Sequence, residues 1–184
     1  HATYVNAAWG DYNNNGTLDL FYSDKNNHGS ATKIQSNFYQ NNRDGTFRKL
    51  TSPFAGVAFS CPVWFDMNND GLLDLFLPGL GDWYYQWNDL DTRLSNIQAR
   101  LYINQGVQDN GTCKFKEMPV AESGLMPVFN GKTGGKGHNW AVAGDYDNDG
   151  YTDLLVTGFD EHTRVNREDY EDAVRAVYLF KNIK

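Results

Sequence analysis

Three short acidic segments carry the side chains of this chain that could do chemistry. They span residues 11–19, 66–74 and 145–153, and all three fit the pattern D-x-[DN]-x-[DN]-G-x-x-D. The pattern places oxygen-bearing side chains at loop positions 1, 3, 5 and 9, with a glycine at position 6 where the backbone must bend sharply. Oxygen donors at this spacing are the ligands that Ca²⁺ prefers. The sequence therefore predicts up to three calcium sites.

The residue at loop position 12 separates the known kinds of calcium loop. An EF-hand needs a bidentate Glu there and a helix on each side. The three loops have Tyr22, Leu77 and Val156 at this position, and each lies in an apolar run that predicts a strand. Dockerin-like and thrombospondin-type loops, which need an acid or amide near position 12, are excluded in the same way. Each loop is therefore expected to join two strands and to close with the Asp at position 9.

Each loop lies within a longer repeat that predicts four strands. The flanking apolar runs are too short for helices and are rich in aromatic or branched residues. The predicted first strands are 5–10, 61–65 and 140–144, the second strands are 18–22, 73–77 and 152–157, and the third strands are 38–41, 101–104 and 177–182. A turn and a fourth strand follow within residues 44–48 and 110–115. The third repeat ends at Lys184, before any fourth strand. Four-stranded units that recur in this way are typical of the blades of a β-propeller.

The predicted fold is all-β: a partial β-propeller of about three four-stranded antiparallel blades, with a calcium loop between the first and second strands of each. Blade one is assigned to residues 1–55, blade two to residues 56–135 and blade three, truncated before its fourth strand, to residues 136–184. Each blade has an insertion before its third strand. These are a polar segment (24–36), an aromatic cluster (Trp83–Trp87) and a charged segment (160–175) in which residues 168–175 could form two helical turns. The aromatic cluster could bind a sugar or a partner, or cover a neighbouring blade.

Several segments together resemble a known family. Residues 143–155 contain the third loop with its flanking strands, and residues 37–47 contain a strand, an Asp-Gly-Thr turn and a Phe. These segments resemble the FG-GAP/VCBS repeats of integrin-α-type β-propellers, and residues 64–71 and 115–125 resemble the cartilage-acidic-protein branch. The chain departs from the repeat pattern where Asn replaces Asp, at Asn13, Asn15 and Asn68, and in the length of its insertions.

The resemblance implies a ligand set for each loop, with side chains at positions 1, 3, 5 and 9 and a backbone carbonyl at position 7. The implied ligands are Asp11, Asn13, Asn15, Thr17 and Asp19; Asp66, Asn68, Asp70, Leu72 and Asp74; and Asp145, Asp147, Asp149, Tyr151 and Asp153. The formal charge of these sets rises from −2 to −3 to −4 along the chain. Because ligand charge tunes calcium affinity, the third loop is expected to bind most tightly and the first most weakly. The alternative for the first, Asn-rich loop is an Asx-type turn that folds without metal.

Charge and composition restrict the partners. The chain has 184 residues, a hydrophobic fraction of 40% and a net charge of −7, and the three loops hold 9 of its 23 acidic residues. No basic stripe is present, so nucleic acid is not an expected partner. No apolar run approaches the ~20 residues of a transmembrane helix. Cys61 and Cys113 are compatible with one disulfide or with two buried thiols.

These features and the resemblance predict an extracellular, secreted or cell-surface module that calcium stabilises and that binds a protein or a glycan through its loops and insertions, as in cell adhesion. No Gly-x-Ser-x-Gly, His-Glu-x-x-His or phosphate-binding loop occurs, so no catalytic or cofactor-binding residue is assigned. Two alternatives stay open: an enzyme domain similar to polysaccharide lyases, and a structural subunit of an extracellular assembly. Since a propeller closes with about four to eight blades, we expect a segment of a larger propeller or association with further copies.

Overall fold

The computed structural model describes residues 2–26, 33–57, 60–80, 97–109, 112–123, 140–159 and 175–182. These described residues form eleven strands and one short helix, and the strands make three antiparallel sheets. The first two sheets have four strands each and the third has three. The predicted all-β fold, a partial β-propeller, is confirmed at this level.

The strands follow each other along the chain in three groups. The first sheet contains β1 (Ala2–Gly10), β2 (Asp19–Asn26), β3 (Lys33–Asn41) and β4 (Phe47–Leu50). The second contains β5 (Val63–Phe65), β6 (Asp74–Leu80), β7 (Ile97–Val107) and β8 (Cys113–Met118), and the helix α1 (Val120–Ser123) follows it. The third contains β9 (Trp140–Gly144), β10 (Asp153–Phe159) and β11 (Arg175–Phe180).

Each sheet is a meander, in which strands adjacent along the chain are hydrogen-bonded neighbours. The first two strands of each sheet are paired so that the position-9 Asp lies opposite the last residue of the first strand. These pairs are Gly10 with Asp19, Phe65 with Asp74, and Gly144 with Asp153. Each acidic loop therefore joins the first and second strands of its sheet at the same register.

Two apolar cores hold the three sheets together. The core between the first and second sheets is built on Phe21, Phe38, Phe54, Leu75, Leu77 and Tyr102. The core between the second and third sheets is built on Phe65, Phe76, Leu101, Leu154 and Val156. Because successive side chains of a strand point to opposite faces, β6 contributes Leu75 and Leu77 to the first core and Phe76 to the second. The middle sheet is thus buried on both faces.

Two glycines mark places where the packing leaves no room for a side chain. A Cβ atom on Gly10 would lie 2.7 Å from Trp64 Cγ, so β1 touches the second sheet through its bare backbone. A Cβ atom on Gly56 would lie 2.5 Å from Ile34 O, a backbone atom of β3. Both positions therefore need glycine for close approach rather than for an unusual backbone angle.

Several predicted strand ends differ from the structure. The second strands begin at the position-9 Asp, one residue later than predicted, in all three sheets. Residues 44–48 contain the predicted turn and the start of the fourth strand: Asp44 Oδ1 accepts hydrogen bonds from Thr46 N (2.9 Å) and Thr46 Oγ1 (2.6 Å) in the turn, and the strand begins at Phe47. The assignment of residues 24–36 to an insertion is wrong at both ends, since β2 continues to Asn26 and β3 begins at Lys33.

Other predictions fall on parts of the chain that the structure does not describe. The Trp83–Trp87 cluster and residues 160–174 of the charged insertion lie outside the described residues. Arg175, the last residue of that insertion and of its proposed helical turns, is instead the first residue of β11. The short helix α1 had no counterpart in the predicted elements.

The two cysteines are free thiols that lie at different junctions between sheets. Cys61 Sγ lies 3.7 Å from Ala141 O of the third sheet. Cys113 Sγ lies 3.9 Å from Tyr12 O of the first loop, and burial raises the pKa of this thiol to about 11. The structure therefore has two separate thiols, each partly exposed, and not a disulfide between Cys61 and Cys113.

Candidate metal centres

The three acidic loops share one backbone conformation. Positions 4 and 6 of each loop have positive φ angles, of 53° to 58° at position 4 and 84° to 88° at position 6. The residues are Asn14, Asn69 and Asn148 at position 4, and Gly16, Gly71 and Gly150 at position 6. Asn is one of the few residues that tolerate the left-handed region of φ and ψ. Its presence at position 4 of all three loops was therefore a sequence signal for this conformation, and the prediction did not use it.

The same hydrogen bonds hold each loop in this conformation. In the first loop the Asp11 carboxylate accepts the N–H groups of Asn15 (2.9 Å) and Gly16 (2.7 Å). The corresponding pairs are Asp66 with Asp70 (3.1 Å) and Gly71 (2.8 Å), and Asp145 with Asp149 (3.0 Å) and Gly150 (2.9 Å). The side chain at position 5 then accepts the N–H of position 7, as in Asn15 Oδ1 with Thr17 N (2.9 Å). The loop is therefore organised by its own predicted ligands.

The position-9 aspartates are buried at the start of the second strands. One oxygen of each accepts the backbone N–H of an asparagine that lies in the third strand or just after its end. The pairs are Asp19 with Asn41 (2.8 Å), Asp74 with Asn104 (2.8 Å) and Asp153 with Asn182 (2.7 Å). Each buried carboxylate therefore ties its loop to the third strand of the same sheet.

The second oxygen of these aspartates differs between the loops. Asp74 Oδ2 accepts Met67 N (3.0 Å) and Asp153 Oδ2 accepts Tyr146 N (3.2 Å). Asp19 Oδ2, in the first loop, is buried with no hydrogen-bond partner in the structure. A buried oxygen without a partner raises the free energy of the folded state. A cation bound by the first loop would give this oxygen a partner.

The charge on two of these carboxylates is unfavourable in the folded protein. Burial raises the pKa of Asp19 to about 6; the Asn41 N–H opposes this shift and the charge of Asp11 adds to it. Burial likewise raises the pKa of Asp74 to about 6, with the charges of Asp70 and Asp66 adding to the effect. A bound cation would favour the charged form of both groups.

The third loop brings three carboxylates together. Oxygen atoms of Asp145, Asp147 and Asp149 lie within 4.8 Å of one another. The Lys181 ammonium group forms ion pairs with Asp147 and, at 3.1 Å, with Asp149. Hydrogen bonds to these two carboxylates raise the pKa of Lys181, and the Tyr151 N–H and Lys181 together lower the pKa of Asp149. The third loop therefore already binds one cationic group, the ammonium of Lys181, which follows the last strand of the same sheet.

Lys181 is a residue of the site that the sequence prediction missed. It directly precedes Asn182, and the residues that precede the equivalent Asn41 and Asn104 are Gln40 and Ile103. The sequence signal for Lys181 was therefore its charge, because the other two repeats have uncharged residues at the same position.

Two asparagines, Asn104 and Asn182, connect neighbouring loops, and we call them the bridging asparagines. Asn104 Nδ2 donates to Leu73 O of its own loop (3.1 Å) and to Tyr12 O of the preceding loop (2.8 Å). Asn182 Nδ2 donates in the same way to Met67 O of the preceding loop (2.5 Å). Loops of adjacent sheets therefore lie side by side, although no motif marked these asparagines as contacts.

The residues present fit a hard divalent cation, because the predicted side-chain donors are all oxygen atoms held at fixed positions of a rigid loop. At position 3, Asn13 Oδ1 accepts Asn15 N (3.2 Å) and Asn68 Oδ1 accepts Asp70 N (3.1 Å), so both side chains lie inside their loops. At position 7 the N–H groups of Thr17, Leu72 and Tyr151 bond to position 5. The role of the position-7 carbonyls as ligands stays a prediction.

Comparison with known proteins agrees with the repeat seen in the fold. Residues 11–77 match the family model described as FG-GAP-like repeat, a span that runs from the first loop through the second. No curated protein and no solved structure matches the chain. In the described part of the chain, no helix has the length and apolar character needed to cross a membrane.

Proposed function

We propose that this FG-GAP-like repeat protein is an extracellular, calcium-stabilised β-propeller module that binds a protein or a carbohydrate and takes part in adhesion or assembly. The observation that carries the proposal is the recurrence of one loop structure three times, each lined by oxygen donors. The third loop adds the convergence of three carboxylates within 4.8 Å. Three copies with the same internal hydrogen bonds favour a shared ligand over three unrelated turns.

The ligands would come from positions 1, 3, 5 and 9 of each loop, with the carbonyl of position 7. A bound Ca²⁺ would neutralise carboxylates that the fold holds close together. The position-9 Asp belongs to both the loop and the second strand, so a cation bound to it would fasten the loop to the sheet. Calcium would therefore act on stability, because the unfolded chain has no such site.

An extracellular location is part of the proposal, and the proposed calcium sites support it. Calcium sites of extracellular modules bind with dissociation constants of about 10⁻⁴ to 10⁻³ M, and loops with partly amide ligand sets, such as the first, suit this range. The protein or carbohydrate partner would bind the loops and insertions that connect the strands. The proposed blades at 1–55, 56–135 and 136–184 each contain one of the three sheets.

The experiment is thermal unfolding of the chain in calcium, in chelator and in magnesium, together with calorimetric titration. We expect calcium to raise Tm and chelator to lower it. The Asp66→Asn variant should lose part of the calcium effect, because Asp66 accepts two N–H groups of its loop. The Asp44→Asn variant is the matched control, since Asp44 lies in an exposed turn outside the three loops. A Tm that does not respond to chelation, with no heat of calcium binding, would contradict the proposal.

A further inference from the structure

Two hydrogen bonds join the first acidic loop to the second sheet. The first is the buried bridging contact, in which Asn104 Nδ2 of β7 donates to Tyr12 O (2.8 Å). The second runs in the opposite direction at the exposed side of the two loops, where Asn14 Nδ2 donates to Gly71 O (2.8 Å). Side chains of both sheets therefore connect the first loop with the second.

The loop residues in these two bonds are flanked by predicted calcium ligands. The bonded residues are Tyr12, Asn14 and Gly71, and the predicted ligands beside them are Asp11, Asn13, Asn15, Asp70 and Leu72. A cation that held these ligands in place would also hold the peptide groups between them. Ordering one loop therefore acts on a donor or an acceptor that the other loop uses.

Asn104 adds a path that starts at a predicted ligand of the second loop. Asp74 Oδ1 accepts the backbone N–H of Asn104 (2.8 Å), and the side chain of Asn104 then reaches Tyr12 O. Asp74 and Asn104 are 0% and 2% exposed, so water cannot easily replace these contacts. A cation bound to Asp74 would thus fix the residue that holds position 2 of the first loop.

The charges of the loops act against such coupling. An empty first loop, with ligand charge −2, attracts a cation bound in the second loop, and this attraction is lost when the first loop fills. The predicted ligands at positions 1, 3 and 5 of both loops are at least partly exposed. At about 0.15 M salt the Debye length is about 8 Å, so this charge effect is reduced, whereas the direct hydrogen bonds remain. The effect of ordering is therefore expected to exceed the effect of charge at this ionic strength.

The second and third loops offer a comparison within the same chain. The bridging contact is present there, from Asn182 to the second loop. Asn69 and Gly150 hold the positions of Asn14 and Gly71, and no hydrogen bond joins these two described residues. This pair of loops therefore has one link where the first pair has two.

We propose that Asn14 and Asn104 are positioning residues that make calcium binding by the first and second loops cooperative. The inference rests on the calcium sites of the proposed function and adds that a filled second loop orders the first. The first loop has the weaker ligand set, with formal charge −2 against −3, so it benefits most from a neighbour that fills earlier. A site that is already ordered binds its ligand with a smaller loss of conformational entropy.

Calcium titration followed by two-dimensional amide NMR of the full chain reports on each loop separately. Gly16 N–H donates to the Asp11 carboxylate, and Gly71 N–H donates to that of Asp66. A cation bound by either carboxylate shifts the amide signal of its own loop. The Gly16 signal therefore gives the Kd of the first loop and the Gly71 signal gives that of the second.

The first variant weakens the second loop and leaves every atom of the first loop in place. Asn68→Ala removes the position-3 side chain, which accepts Asp70 N (3.1 Å), and keeps Asp66 with its two N–H partners. We expect the Kd of the first loop, read at Gly16, to rise about three- to tenfold, as for the loss of one or two hydrogen bonds. Asp70→Asn, which lowers the ligand charge of the second loop by one, repeats the test with a second variant.

A second variant tests the Asn14 bond itself. Asn14→Gly removes the donor, and glycine tolerates the positive φ of this position (53°). In this background, Asn68→Ala is expected to raise the Kd of the first loop by a factor at least about twofold smaller than in the wild-type background. Asn148→Gly is the matched control, because it makes the same change at position 4 of the third loop, where φ is 58°. It is expected to leave the effect of Asn68→Ala unchanged.

The outcomes separate this inference from the proposed function. If calcium shifts neither glycine signal, the calcium sites are contradicted and the coupling fails with them. If both loops bind calcium but Asn68→Ala leaves the Kd of the first loop unchanged or lowers it, the proposed function stands and the coupling is overturned. Equal effects of Asn14→Gly and Asn148→Gly overturn the role of Asn14. Far-UV circular dichroism and Tm of each variant show whether the fold is kept.

Discussion

Replacing Asn104 with alanine is the sharpest test of how the loops are held together. The Asn104 side chain is buried, and its amide donates to Tyr12 O (2.8 Å) and Leu73 O (3.1 Å). Its carbonyl oxygen accepts Gly106 N (3.0 Å). The backbone N–H of the residue, which bonds to Asp74, is untouched by the change. The variant therefore removes three side-chain bonds and leaves the backbone pairing in place.

The expected loss follows from what these partners find in the variant. The contact with Tyr12 O is buried, so this carbonyl is left with only the weak Cys113 thiol donor at 3.9 Å, at a cost of about 1–3 kcal/mol. The contacts with Leu73 O and Gly106 N are only partly buried, so water can replace part of them, and each contributes about 0.5–1 kcal/mol. We expect Asn104→Ala to lower the free energy of unfolding by about 2–5 kcal/mol.

The assay is urea unfolding at a fixed calcium concentration, with Asn41→Ala as the control. Asn41 has the same place in its sheet, but its amide donates at an exposed position to Leu18 O. Asn41→Ala is expected to cost no more than about 1 kcal/mol. Equal losses for the two variants would refute the idea that Asn104 links the loops of adjacent sheets.

Three further outcomes follow from the packing and charges. Gly56→Ala should lower the free energy of unfolding by about 1–3 kcal/mol, because the new Cβ meets a backbone carbonyl. Gly144→Ala, where no atom lies within 4 Å of the new Cβ, should change it far less, and equal shifts in Tm would contradict this reasoning. Lys181→Met should tighten calcium binding by the third loop in calorimetry, since the ammonium group competes for Asp147 and Asp149; weaker binding would show that Lys181 supports the site. In the Lys181→Met chain the third loop, with ligand charge −4, should bind more tightly than the first, with −2, and the reverse order would reject ligand charge as the cause.

The loops and the first two strands of each sheet were predictable because their signals are local. Glycine at position 6 and oxygen-bearing side chains at alternate positions define the loop within nine residues, and the apolar runs on both sides define the strands. The β9 strand was predicted to the residue, at Trp140–Gly144. The strand pairing at the loops then follows from the short connection alone.

The contacts that span long distances in the chain were not predictable in the same way. Asn104 reaches Tyr12 across 92 residues, and nothing in its immediate sequence distinguishes it from an exposed asparagine. The ends of β2 and β3 were missed because polar residues such as Asp24 and Gln35 pair across the hairpin, where backbone bonds rather than apolar side chains extend the strands. Lys181 was missed because its partners lie in a loop 34 residues away.

The meander order of the strands has a consequence for how the chain folds. Every pairing within the three sheets joins strands that are consecutive in sequence, so no strand waits for a distant segment before it can pair. Local pairing of this kind lowers contact order and favours fast folding, and a growing chain can complete each sheet as it leaves the ribosome. The bridging asparagines always reach back to the loop of the sheet made before them. The loop that each bridging asparagine contacts is therefore already synthesised when the third strand of the following sheet emerges.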